Sequence, residues 1–332
     1  MTVRTRRSLI GNSLAAALIG ACSNPTGPVL QHPALAVVDS VSIGNTPFAV
    51  AISRAGVVYV TQVSTASAAR TELPDETFPT VAPVGDLPSQ ARVSPNGRTV
   101  YVGNQDAGTI TVVDVQTNQP VDTIALVRSI LTIGLAPDGR RLYALTDYHG
   151  VYVIDVATRS VIDSIAATKT GDILTGVAFH PRLARMYVCA RDAGTITTID
   201  TRTNTALKTD TIGGARIQNV AVARNGSELY ATDIQRSALI ILTLQSGSTG
   251  ARAAVLLGSG QVRNAFDVAV TPDDAQLYVS MLADGKVYVL NRAEHAVIDS
   301  IATGGAPRYI GFDALGANAV IANEFGWVTF VH

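Results

Sequence analysis

Charge is scarce in this chain, and so are aromatic side chains and cysteine. Charged residues fill 15% of its 332 positions and aromatics 5%, with two Cys and one Trp. A formal net charge of −1 creates no global field that would gather nucleic acid or an anionic surface. No HExxH, P-loop, GxSxG or Cys-x-x-Cys pattern occurs, so the common signatures of zinc hydrolysis, nucleotide cleavage, serine hydrolysis and dithiol chemistry are missing. What is abundant is apolar: 47% of residues are hydrophobic and the mean hydropathy is +0.26. That balance suits sheets buried on both faces, with charge kept to loops.

The N-terminus reads as an address. Arg4, Arg6 and Arg7 precede a mostly apolar run, Leu9 to Ile19, which is well short of the roughly 20 residues a spanning helix needs. Residues 1–21 therefore fit an export signal. Thr5-Arg6-Arg7-Ser8-Leu9-Ile10 resembles a twin-arginine motif, with ordinary export as the alternative. Ile19-Gly20-Ala21-Cys22 resembles a lipobox, which would make Cys22 the lipidated first residue of the mature protein. Several acyl chains give stable anchoring where a single chain does not. Residues 22–36, carrying Pro25, Gly27, Pro28 and Pro33, then form a tether. Lipidation of Cys22 leaves Cys189 without a disulfide partner, and its apolar strand context marks an inert core thiol.

From residue 37 onward the chain repeats about every 42 residues. A tyrosine opens a short apolar run at Tyr59, Tyr101, Tyr143, Tyr187, Tyr230 and Tyr278, and Val320 holds the next such place. Ahead of most lies a turn such as Ser94-Pro95-Asn96-Gly97 or Ala136-Pro137-Asp138-Gly139. There proline presets φ and glycine accepts φ > 0. A third run ends in Asp, as at Asp114, Asp155 and Asp200. A fourth carries Asp-Ser/Thr-Ile, as at Asp122, Asp163, Asp210 and Asp299. Four short strands per unit of this length is the arithmetic of a propeller blade.

The ends of the repeat supply a check. Val38-Asp39-Ser40-Val41 matches the fourth-strand signature yet precedes the first full unit, while Arg308 to His332 has three strands and no fourth. The N-terminal strand should therefore complete the last blade and remove an open sheet edge. Turn markers at Gly56, Gly97, Gly139, Leu183, Gly226, Asp274 and Gly316 give an all-β, single seven-bladed β-propeller over residues 37–332. Tyr59-Val60-Thr61, Tyr101-Val102-Gly103-Asn104 and Val112-Val113-Asp114 resemble the YVTN-type β-propeller repeat proteins. That resemblance implies an exported, periplasmic or cell-surface protein. Similar propellers also serve lactonases and redox enzymes.

Function must be argued from positions rather than from the fold. Five residues before each turn marker stand small residues, with Arg92 as the exception. An arginine there needs channel water or a carboxylate. Seven residues before the marker come Ala49, Gln90, Thr132, Gly176, Asn219, Asp267 and Tyr309, expected near the channel mouth. Connecting loops add Arg128, Lys169, Arg216, Arg263 and Arg308, with Arg191 and Arg236 from the other loops on that face. One reading is a cationic funnel for a small anionic ligand or a protein partner. The other is solvated loop charge offset by Asp86, Asp106, Asp147, Asp172 and Asp192. No nucleophile–base set emerges. A metal-dependent lactonase or lyase would need calcium or another divalent cation, for which Asp267 and Asn219 are the available ligands; a purely structural surface protein is a further alternative. The reading is therefore a monomeric, lipid-anchored binding or scaffold module with no cofactor and no nucleic-acid partner.

Overall fold

The computed structural model describes residues 37–126, 128–147, 150–166, 172–258 and 265–332; the signal, Cys22 and the tether lie outside them. Twenty-eight strands form seven four-stranded antiparallel sheets. Six sheets take four consecutive strands in chain order. The seventh sets β1 (Val37–Ser42) beside β28 (Trp327–Val331), with β27 (Ala319–Asn323) and β26 (Pro307–Phe312) inside it. Ser40 faces Thr329 in that ladder, and their hydroxyls meet at 3.1 Å. The ring is closed by strand pairing between the two ends of the propeller.

Each blade grades from apolar to polar outward. Second strands such as β3 (Val57–Gln62) are buried at every residue, whereas the fourth strand β13 (Ser160–Ile165) buries only Ile165. Continuous apolar runs and alternating runs in the repeat thus mark inner and outer strands. One apolar cluster lies between each pair of adjacent blades. The repeat tyrosines Tyr59, Tyr143, Tyr187, Tyr230 and Tyr278 are among the largest fully buried side chains. Blades therefore stabilise one another across faces, as dispersion and apolar burial require of thin sheets.

The polar motifs hold strand ends and blade rims. Asp114 and Asp155 each accept the backbone N–H and the hydroxyl of a threonine three residues on. Those bonds hold both carboxyls below the usual range. The fourth-strand aspartates reach the next blade: Asp122 pairs with Arg159 at 2.7 Å, and Asp163 accepts from Asn204 at 2.8 Å. The buried Asn323, ending its second strand, binds Ala306 N–H through Oδ1 and donates to the Gly304 carbonyl. Asp233 performs the same service for Arg216 N–H.

Two departures from the repeat have local solutions. Asp274 takes the glycine place of its turn with φ 63°, a conformation that Asp tolerates better than most side chains. In the fourth blade Leu183 stands at the marker without positive φ. There His180 Nδ1 accepts the N–H groups of Arg182 and Leu183, both at 3.1 Å. Burial lowers the affinity of His180 for a proton, which keeps that nitrogen an acceptor.

Candidate functional site at the channel mouth

The innermost strand of every blade carries a β-bulge near its start. A bulge inserts one residue and re-aims the side chains before it. Its consequence here is that the mouth is lined eight residues before each turn marker, one place earlier than expected. Phe48, Ser89, Leu131, Thr175, Gln218, Phe266 and Arg308, one from each blade, surround a cavity of about 420 Å³. Gln105, Arg191, Ile234 and Leu282, from the loops joining second to third strands, share its wall, as do Ile173 and Tyr309.

One side of this mouth is aromatic. The rings of Phe266 and Tyr309 lie 5.2 Å apart and nearly perpendicular, with Phe48 5.9 Å from Phe266 and 5.7 Å from Tyr309. The Arg308 guanidinium sits 4.6 Å from the Phe266 centroid and 5.0 Å from that of Phe48. Contacts of this kind draw a cation onto the ring face. Its Nε donates to Glu324 Oε2 at 2.8 Å, so Arg308 is oriented from two sides.

The residues seven before the marker form the layer beneath. Gln90 and Asp267 are almost fully buried. Gln90 turns its Oε1 back onto Ala91 N–H. Asp267 accepts Ile310 N–H through Oδ2 at 2.9 Å and the Asn219 amide through Oδ1. Its own N–H donates to Ser280 Oγ. Burial pushes the Asp267 carboxyl up to about 6, against the pull of those hydrogen bonds and of the Arg92 charge. Arg92 is half-buried and donates from Nη1 to the Ala91 carbonyl at 2.9 Å. Burial weakens its hold on the proton, and the charges of Tyr309 and Asp267 oppose that loss. Tyr309 is raised, first by burial and then by Asp267.

A divalent cation does not fit this pair. Both Asp267 oxygens are engaged by donors, and Asn219 Oδ1 accepts Val220 N–H at 2.9 Å. One carboxylate beside an arginine is too little negative charge for calcium, which takes six to eight oxygens. Among the described residues no group of three or more His, Cys, Asp or Glu converges as a metal site.

The loop cations are largely neutralised where they stand. Arg216 and Arg191 share Asp192, at 2.6 and 3.3 Å, and Arg236 pairs with Asp233 at 2.6 Å. Asp172 caps the N–H groups of Ile173, Asp192 and Ala193. Arg128 is exposed and is not part of the cavity wall. Arg263 and Lys169 lie outside the described residues. The structure brings together Arg92, Asp267, Asn219 and Tyr309 in the channel and Arg308 at the mouth. Phe48 and Phe266 were not singled out from the sequence. Their signal was two phenylalanines at one repeat position in a chain with seven.

These features define a seven-bladed β-propeller with a polar channel under an aromatic mouth. Among solved structures the fold is similar to a chain of Kuenenia stuttgartiensis hydrazine synthase, with TM-score 0.79 and 17% identity, covering 91% of this chain and 98% of that one. It is also similar to the β-propeller domain of Myceliophteria thermophila Cps50 (Swd1), with TM-score 0.77 and 11% identity, covering 90% and 99%. At such identities the likeness extends to the fold alone. No protein-family profile and no curated protein sequence matches the chain.

Proposed function

We propose that this chain is an exported propeller, lipid-anchored through Cys22, that binds a ligand presenting an apolar group beside an acidic one, either as a small molecule or as an exposed part of a protein partner. The observation that carries the reading is the convergence of all seven blades on one mouth, where Arg308 lies against Phe48 and Phe266. Ligand sites join an apolar lining to a few oriented polar groups. Here Leu131, Leu282 and the rings receive the apolar part. Arg308 and Arg191, whose Nε and Nη2 are held by Glu324 and Asp192, would turn their remaining donors to its acid, with the amides of Gln105 and Gln218 beside them. The closed ring and the Pro-rich tether suit a binding or scaffold module.

Calorimetry of the mature chain against phenylacetate and against peptides ending in a free phenylalanine carboxylate tests the mouth. Arg308→Gln and Phe266→Ala should each weaken binding at least about tenfold, since central aromatic and arginine anchors dominate interfaces. Unchanged affinity in both variants would remove the mouth as the site. Separately, Cys22→Ser should release the protein from the membrane fraction.

A further inference from the structure

We infer that the groove between the third and fourth blades, on the face opposite the channel mouth, is a binding site for a phosphate-type oxyanion. The groove encloses about 520 Å³ and is lined by Arg140, Arg141, Arg182, Arg185 and Arg202, with Tyr143 in its wall. Asp155 and Asp163 act on Arg141, and together with Asp138 and Asp200 they leave these five cations one charge short. Asp200 serves both Arg185, at 2.6 Å, and Arg202, at 3.4 Å. Asp138 turns Oδ1 onto the backbone N–H of Arg140. Arg182 donates to the Asn225 carbonyl.

Arg185 Nε is buried without a hydrogen-bond partner, and the Tyr143 hydroxyl, approached by the Arg141 guanidinium, has no acceptor for its own proton. The repeat shows what the tyrosine lacks. Tyr59 donates to Asn118 Oδ1 at 2.9 Å and Tyr187 to the Gly247 carbonyl at 2.8 Å, each on the outer hairpin of the next blade. For Tyr143 the corresponding hairpin carries Thr201 and Asn204, and Arg141 Nη1 has taken both, donating to the Thr201 carbonyl and to Asn204 Oδ1. The Arg141 guanidinium still lies beside the tyrosine hydroxyl, but it offers donors, and the hydroxyl proton has no acceptor. A buried group left so is unfavourable, and native structures seldom keep one without a purpose.

An oxyanion resolves the arrangement. Both atoms are closed to solvent, so its oxygens would accept from Tyr143 Oη and Arg185 Nε after a small side-chain shift, while Arg141 and Arg182 supply charge from the two sides of the groove. A tetrahedral phosphate offers three or more oxygens to such a spread of donors, whereas a carboxylate offers two, and arginine forks suit phosphate well. Free phosphate has this chemistry in full; a phospholipid headgroup keeps the tetrahedral centre but has two terminal oxygens and two ester oxygens.

Calorimetry on the mature chain should compare inorganic phosphate, acetate, and dihexanoyl phosphatidylglycerol below its micellar concentration. Saturable binding of phosphate or of the soluble lipid, with little response to acetate, is expected, and the tighter of the two identifies the source. Tyr143→Phe should weaken that binding about five- to tenfold without lowering the melting temperature, and Arg182→Gln should weaken it as well. Equal response to all three anions, or full affinity in Tyr143→Phe, would overturn the assignment.

Discussion

Asp267 is a carboxylate that the fold holds under protest, and its titration can be read directly in stability. In the unfolded chain it ionises near 3.8, and in the channel wall only near 6. Each pH unit of difference is worth about 1.4 kcal/mol, so the whole shift amounts to about 3 kcal/mol. The sign follows from proton counting. Well below pH 3.8 both states carry the proton and Asp267 contributes no pH dependence. Between about 4 and 6 the unfolded state releases it first, so stability falls as pH rises, and the loss is complete above the folded value. An Asn at this position cannot titrate. Denaturant unfolding of the wild type and of Asp267→Asn, measured at intervals from pH 4 to 7.5, isolates the effect because the other carboxylates cancel in the difference. The wild type should lose about 2.5 kcal/mol of the whole shift relative to the variant between pH 4 and 7.5, whatever the variant's own offset. A flat difference, or a wild type that gains with rising pH, would mean that Arg92 and the hydrogen bonds outweigh burial, and the reasoning would fail. Replacing Arg92 with Met should shift the midpoint further upward, as the opposing positive charge is removed.

Other expectations rest on separate contacts. Tyr187→Phe removes a buried bond to the Gly247 carbonyl and should cost about 1 kcal/mol, whereas Tyr143→Phe, whose hydroxyl has no partner, should be neutral or stabilising; chemical denaturation of the two variants side by side decides. Deleting residues 37–42 strips β1 from β28 and leaves a bare edge, so size-exclusion chromatography should show association and proteolysis should begin in the last blade. Monomeric, protease-resistant protein would deny β1 its closing role. Cys189 is fully enclosed, with its thiol pushed up to about 12 by burial. It should ignore a thiol reagent at pH 8 until the protein unfolds, and prompt labelling of the native chain would contradict that packing.

Much of the architecture was legible because the signals that build a blade are local. The Ser94-Pro95-Asn96-Gly97 turn, the apolar second strand after Tyr101 and the Asp122-Thr123-Ile124 strand each report on a few neighbouring residues. Their recurrence then fixes blade number. Even the ring closure could be read, since Val38 to Val41 carried a fourth-strand signature in front of the first unit. The mouth was read one residue out of place. The bulges that begin the inner strands change which side chains face the cavity, and an alternation counted from the turn passes over them. Gln90 and Asp267 thus became wall residues and Phe48 and Phe266 joined the rim, where Arg308 and Tyr309 had been expected.

The sequence by itself determined the all-β class, the seven blades and their strand order. Those properties depend on periodicity and turn chemistry within about 42 residues. Tertiary structure alone decided which charges are free. Whether Arg216 meets Asp192, Arg308 meets Glu324, or Tyr143 is left without an acceptor depends on side chains from different loops and blades meeting within a few ångströms. Electrostatic and hydrogen-bond energies vary steeply over such distances, whereas the apolar pattern that builds the blades tolerates them.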